Sequence, residues 1–191
     1  HAGYVGYGML DAAVCGEIFT SPGADKVYNA IKAVDAGKGV LLIIKNYSGD
    51  IMNFEMAGEM AQAEGITVKQ VVVDDDIAVE NSTYTVGRRG IAGTIFVHKI
   101  LGAAAEKGYD LDKLVELGNK VVKNLKTMGM SLKACTVFTT GKESFEIADD
   151  EVEIGLGIHG EPGTHREKMA SANEFTEKLF EKVYAESNAQ K

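Results

Sequence analysis

No apolar run in this 191-residue sequence comes near the roughly 20 residues that a membrane-spanning helix needs, and the stretch Val40 to Ile44 is among the longest. A membrane span is thereby excluded, no signal peptide is visible, and a cytoplasmic protein is expected. Basic clusters are missing as well. Lys and Arg number 20 against 28 Asp and Glu, a net charge of -8, and nowhere do they gather densely enough to follow a phosphate backbone. Nucleic acid is therefore excluded as a partner. Cysteine is scarce: Cys15 and Cys135 lie in apolar sequence without a CxxC spacing, which reads as two reduced core residues rather than a disulfide or metal site. No G-x-x-x-x-G-K-[ST] occurs, and Gly37-Lys38-Gly39 precedes a strand rather than a helix, so a P-loop ATPase is excluded for that segment. Internal repeats and low-complexity linkers are also lacking.

What is present is ordinary in bulk. With 45% hydrophobic and 25% charged residues the chain can bury a substantial core, and neither disorder nor a fibrous repeat fits. The departure is 22 Gly against 2 Pro. These glycines gather beside polar residues, as they do where a backbone must approach a ligand closely. The first residue is His rather than Met, from which the natural start is expected upstream.

Periodicity gives the organisation. Residues 1 to 20 are Gly/Ala-rich and read as loop and short helix. Ser21-Pro22 is a helix-start signal, and Val27, Ala30, Ile31 and Val34 follow at helical spacing, ending near Gly37. Val40 to Ile44 reads as a strand covered on both faces, Ile51 to Glu64 as a helix stopped by Gly65, and Thr67 to Val73 as a second strand, together a βαβ unit. A helix from Ile91 to Lys107 is closed by Gly108. Asp110 then caps another, with Leu111, Leu114, Val115, Gly118, Val121, Val122 and Leu125 on one face. From Met128 the pattern changes to short β-like runs, Ser131 to Val137 and Val152 to Gly157, before a capping box, Ser171 with Glu174, opens a last helix. The expected fold is α/β: an open mixed sheet with flanking helices over residues 1–126, followed by the first part of a second α/β domain over 127–191.

Two stretches carry candidate chemistry. Lys45-Asn46-Tyr47-Ser48-Gly49-Asp50 sits where an open α/β sheet places its ligand crevice, at the carboxyl end of a strand. Lys45 is a possible donor to a ligand and Asp50 a possible general base; alternatively Asp50 only caps the next helix and Lys45 is solvated. His159 follows a strand and is flanked by Gly157, Gly160 and Gly163. An imidazole, with an unperturbed pKa of roughly 6.5, serves as nucleophile, base or ligand at cellular pH, although His and Gly also meet in plain turns. His98 reads as a satisfied packing residue and His165 as a surface one. A zinc site from His159 and His165 has no usual ligand spacing, and Asp74-Asp75-Asp76 reads as a solvated strand end rather than a Mg²⁺ site. No metal is expected on the chain.

Several motifs together carry a resemblance. His1-Ala2-Gly3-Tyr4-Val5-Gly6, Gly16-Glu17-Ile18-Phe19-Thr20-Ser21-Pro22, Ile43-Ile44-Lys45-Asn46-Tyr47-Ser48-Gly49-Asp50, Gly87-Arg88-Arg89-Gly90 and Gly157-Ile158-His159-Gly160-Glu161-Pro162-Gly163 resemble, in this order, the K subunit of the dihydroxyacetone (glycerone) kinase family. Val71 to Val79 and the following Tyr84-Thr85 look closer to the bacterial phosphotransferase-dependent branch than to the single-chain ATP-dependent enzymes. The resemblance implies that His159 attacks the ketone carbon of dihydroxyacetone and holds it as a hemiaminal, which selects carbonyl substrates over glycerol. It implies that Asp50 takes the proton of the attacking hydroxyl and that Lys45 hydrogen-bonds the substrate. It further implies a phosphoryl donor on a separate L subunit, a nucleotide with Mg²⁺, recharged through a phosphohistidine-carrying M subunit. No cofactor is then bound by this chain, and a homodimer is expected.

The sequence also departs from the family. A glycine-rich GGGSGHEP segment, with its own catalytic histidine, is expected immediately before His1, and roughly a further hundred residues after Lys191 would complete the second domain. As given, the chain is expected to bind substrate weakly or not at all and to show no turnover alone. Ser48 stands where the family has threonine, and Phe138-Thr139-Thr140 where it has Pro-Ala-Ala. Two rivals remain open at this point: a non-catalytic paralogue that senses dihydroxyacetone as a transcription co-activator, and a single-chain ATP-dependent enzyme represented without its nucleotide domain.

Overall fold

A computed structural model describes residues 1–80 and 86–188. After a 3-10 turn at Ala2–Tyr4 and a long loop, α1 (Ala24–Val34) buries Val27 and Ile31 on one face. Strand β1 (Val40–Lys45) follows, then α2 (Ser48–Ala63) and β2 (Val68–Val73). The two strands run parallel, in a register from Val40 opposite Val68 to Lys45 opposite Val73. Both faces of β1 are covered. Val40, Leu42 and Ile44 join α1 and α2 in one core, while Leu41 and Ile43 pack against a second formed by β2, α3 (Thr94–Glu106) and α4 (Leu111–Asn124). A fully buried Val, Leu or Ile contributes about 1.5–3 kcal/mol, so the apolar run, placed between the two cores, adds substantially to both.

The remainder is built from shorter pieces: β3 (Met130–Ser131), β4 (Thr136–Val137), β5 (Lys142–Glu143), β6 (Glu151–Ile154), β7 (His165–Lys168) and α5 (Ala172–Asn188). Strands β3, β6 and β7 form an antiparallel sheet in that order, and β4 pairs with β5 as a hairpin. Val152, Ile154 and Phe175 centre a third, small core. The capping box forms: Glu174 Oε2 accepts from Ser171 N at 3.0 Å, and Ser171 Oγ accepts from Glu174 N at 3.3 Å. Asp110 likewise caps α4 by accepting from Lys113 N at 2.9 Å.

The α/β class read from the sequence holds, with the strands distributed over three small sheets among the described residues. Several details differ. Helix α2 begins at Ser48 rather than Ile51, because Asp50 in its first turn is favoured by the helix dipole although Ser48 and Gly49 are poor helix formers. The helix expected from Ile91 begins at Thr94, the preceding turn being held by Asp75. The run Ser131 to Val137 is broken between β3 and β4. Strands β5 and β7 carry no apolar alternation, and β7 is held instead by pairing with β6 and by ions such as Arg166 Nε on Glu153 Oε2 at 2.8 Å. Cys15 and Cys135 are free but exposed, not core residues, each lying in irregular structure outside the packed elements. Tyr84 and Thr85 lie outside the described residues.

Candidate active site at the carboxyl end of the parallel strands

The parallel pair ends in a cluster of polar segments. Asn46, just past β1, donates its backbone N–H to Val73 O at 2.9 Å, and its Nδ2 donates to Val86 O at 2.9 Å and Arg88 O at 2.8 Å. The Gly87-Arg88-Arg89-Gly90 turn is thus tied to the end of β1. A Cβ at Gly90 would lie 3.0 Å from Lys45 Cα and strike Val73 O, so only glycine lets this turn close on the strand ends. From the other side Asn53 Nδ2 reaches Pro22 O at 2.8 Å, and Ser21 Oγ sits 2.7 Å from where a Gly49 Cβ would stand. The loop of residues 16–22 therefore lies against the start of α2.

Lys45 ends β1 and Asp50 lies in the first turn of α2, whose N-cap is Tyr47 without a side-chain capping bond. Asp50 is accordingly inside the helix, not its cap. Burial lowers the Lys45 amine to about 8, opposed by the negative charges of Asp50 and Asp75. Lys45 Nζ also contacts the His1 ring. Lys45 and Asp50 thus share one electrostatic environment.

His159 arrives from the second sheet. The loop after β6 folds back on itself: Gly157 N donates to Glu161 O at 3.3 Å and His159 N to Glu161 Oε2 at 2.9 Å. Gly160 takes a φ of 78°, in the left-handed region that favours glycine. The imidazole rests edge-on against Tyr47, ring centroids 4.1 Å apart and planes at 77°. Tyr47, between Lys45 and Asp50 in sequence, is 3% exposed, its hydroxyl has no hydrogen-bond partner, and burial followed by the Glu161 charge raises its pKa. The structure therefore brings the His159 loop to the segment that carries Lys45 and Asp50. His159 is not an isolated turn histidine.

Under this surface Asp75 and Asp76 of the acidic run are buried rather than solvated, a correction to the sequence reading, while Asp74 is exposed as that reading has it. Asp75 accepts from Ile91 N and Gly93 N, both at 2.8 Å, and from Thr127 Oγ1. Asp76 accepts from Ala78 N at 2.9 Å and Arg89 Nε at 2.7 Å, and burial raises its pKa. These carboxylates are consumed by turning the chain, which a sequence of three acids does not reveal. Arg89, 1% exposed, also donates from Nη2 to Gly155 O at 2.6 Å and places Nη1 3.8 Å from Glu161 Oε1. Tyr47, Arg89 and Glu161 were not nominated from the sequence. All three stand inside glycine-bearing motifs, and that position is the one signal that could have marked them.

His98 is buried as expected of a packing residue, but it is not satisfied: Nδ1 has no partner, and the ring meets His1 at 5.1 Å and Tyr4 at 5.9 Å. Burial, then the Lys45 charge, lower its pKa to about 4. A cavity of about 250 Å³ beside it is lined by Val14, Ile31, Leu42, His98 and Leu101, and by none of Lys45, Asp50 and His159. His165 is exposed on β7, bonded to Thr164 Oγ1 at 2.9 Å and Glu167 Oε1 at 3.0 Å. Among the described residues no group of three or more His, Cys, Asp or Glu is arranged to hold a metal ion, and no helix is long and apolar enough to cross a membrane.

The sequence matches the Dak1 domain family over residues 1–191. The chain belongs to that family. The Dak1 chain is 59% identical over 187 residues to the PTS-dependent dihydroxyacetone kinase 1, dihydroxyacetone-binding subunit DhaK, of Listeria innocua, a match covering 98% of this chain and 57% of the relative. It thus spans little more than half the length of that curated relative. Among solved structures it resembles a dihydroxyacetone kinase operon co-activator, Dha-DhaQ, with a TM-score of 0.90 at 43% identity, covering 100% of this chain and 58% of that one. It also resembles the dihydroxyacetone kinase of C. freundii, with a TM-score of 0.87 at 39% identity, over 97% of this chain and 34% of that one. The Dak1 assignment agrees with the family read from the motifs.

Proposed function

We propose that this chain is the dihydroxyacetone-binding part of a dihydroxyacetone kinase of the phosphoenolpyruvate-dependent kind. The observation that carries the reading is the seating of the His159 ring on Tyr47, which brings an imidazole to the segment where β1 ends with Lys45 and α2 begins with Asp50 in its first turn. A ring nitrogen of His159 attacks the ketone carbon; a C–N bond forms, the carbonyl π electrons pass to oxygen, that oxygen gains a proton, and the imidazole loses its N–H proton. Glycerol has no such carbon and is not captured. Lys45, with its pKa lowered only to about 8, is still a cation at neutral pH and donates to a substrate oxygen. Asp50 accepts the proton of the hydroxyl that attacks phosphorus. The phosphoryl group comes from a nucleotide with Mg²⁺ on a partner L subunit, recharged through the M subunit, and the protein acts in the cytoplasm as a homodimer.

A second reading, a dihydroxyacetone-sensing co-activator, is favoured by the likeness to Dha-DhaQ, since a sensor has use for the same capture step. One assay separates the two. The full-length protein is incubated with dihydroxyacetone, L subunit and the phosphotransferase relay, and again with ATP alone. Turnover with the relay is expected; its absence, with dihydroxyacetone still bound, transfers the assignment to the sensor. In calorimetry the ketone is expected to bind and glycerol not, and His159→Ala to abolish ketone binding. Equal affinities for the two ligands exclude hemiaminal capture.

A further inference from the structure

Glu161 is a buried carboxylate whose two oxygens have different fates. Oε2 accepts the backbone N–H of His159 at 2.9 Å, whereas Oε1 is buried without a hydrogen-bond partner and faces Arg89 Nη1 across 3.8 Å. A carboxylate held in this way needs a nearby cation, and Arg89 is also buried. Arg89 is itself fixed at two further points, by Asp76 Oδ2 at 2.7 Å and by Gly155 O at 2.6 Å, the latter at the start of the His159 loop. Asp76 in turn is pinned by Ala78 N and donates its own backbone N–H to Arg89 O at 2.9 Å. The line Asp76, Arg89, Glu161, His159 therefore joins the end of the parallel sheet to the backbone of the histidine. Glycine at position 157 is part of the device, because a Cβ there would occupy the space of the Glu161 carboxylate.

We propose that Glu161, oriented by Arg89, is a positioning residue for His159. The pair fixes the histidine backbone while Tyr47 bounds its ring, so the imidazole presents one rotamer to an incoming carbonyl. This rests on the reading of His159 as the covalent anchor. With flexible glycine at 157 and 160, the charge-assisted bond from His159 N to Glu161 is the main local restraint on where the imidazole starts. Glu161→Gln keeps the shape but sets an amide NH₂ against either Arg89 or the His159 N–H, and so loses one of the two contacts. Arg89→Lys keeps the charge but has no fork to span Asp76, Gly155 and Glu161.

The test uses full-length, ¹⁵N-labelled protein and dihydroxyacetone labelled with ¹³C at the ketone carbon. One-bond ¹³C–¹⁵N coupling marks the adduct and separates it from the hydrated ketone. Wild type is expected to show the coupling and His159→Ala none. Glu161→Gln and Arg89→Lys are each expected to bind dihydroxyacetone about tenfold more weakly and to show a smaller adduct fraction at equal bound ligand, with far-ultraviolet circular dichroism unchanged. Wild-type affinity and adduct fraction in either folded variant overturn the proposal. So does a loss of adduct that only follows a loss of folded protein in both variants. If wild type binds the ketone without any coupling, the covalent anchor itself is wrong, a distinct result, and the positioning role falls with it.

Discussion

At residue scale, burial acts on Lys45 and His98 in one direction, lowering both pKa values because it disfavours the cation. The consequence for His98 can be given a sign. Its folded pKa of about 4 lies below the ordinary 6.5, so the unfolded chain binds more protons between those values. The stability associated with a neutral His98 is complete above about pH 6.5 and is lost as pH falls towards about 4. His98→Leu removes this titration together with the unpartnered Nδ1. Its melting midpoint is expected to fall less than that of wild type between pH 7 and pH 5, and equal falls would refute the assignment. In Lys45 the same desolvation leaves a donor that is charged at neutral pH but held near Asp50 and Asp75, whose charges oppose the shift.

At the scale of elements, two helical glycines make opposite predictions for one substitution. A Cβ at Gly58 on α2 would meet Val68 Cγ1 at 3.5 Å and Leu42 Cδ1 at 4.0 Å, ordinary packing distances. Gly58→Ala is expected to stabilise by about 0.5–1 kcal/mol through helix propensity. At Gly118 on α4 the Cβ would lie 2.7 Å from Val71 Cγ2 and 3.1 Å from Leu101 Cδ1. There the cost of overpacking, typically about 1–3 kcal/mol, exceeds the propensity gain, and the melting midpoint is expected to fall. A rise in both variants would show that α4 can move away from β2. The elements themselves differ in how far the sequence announces them. β1 and β2 were legible as short apolar, β-rich runs without a helical period, α1 and α4 because each repeats its apolar residues at helical spacing, and α5 because Ser171 and Glu174 have the spacing of a capping box. β5 and β7 were not, since Lys142–Glu143 and His165–Lys168 are polar and owe their form to a neighbouring strand.

At the scale of the molecule, the site is made by contacts between segments far apart in sequence. Lys45, Asp50 and His159 could be nominated locally, from a strand end and from glycines around a histidine. The partnership of Arg89 with Asp76, Gly155 and Glu161 could not, because it exists only once the chain has folded. Asp75 shows the same limit: three consecutive acids read as a solvated end, yet Asp75 joins β2, the turn before α3 and Thr127. Asp75→Asn exchanges one acceptor oxygen for a donor amide facing an N–H. It is expected to cost roughly 1.5–3 kcal/mol for each charged hydrogen bond lost, read as a lower urea midpoint with an unchanged slope. An unchanged midpoint would mean that these segments hold together without it.

The edge contact between Tyr47 and His159 also sets an order of events during synthesis. A ribosome releases Lys45, Tyr47 and Asp50 well before the loop whose His159 rests on Tyr47. On the function proposed here, the group that captures a reactive ketone is thus the last of the four to emerge, and an unfinished chain carries a docking place with nothing yet able to bond to its guest.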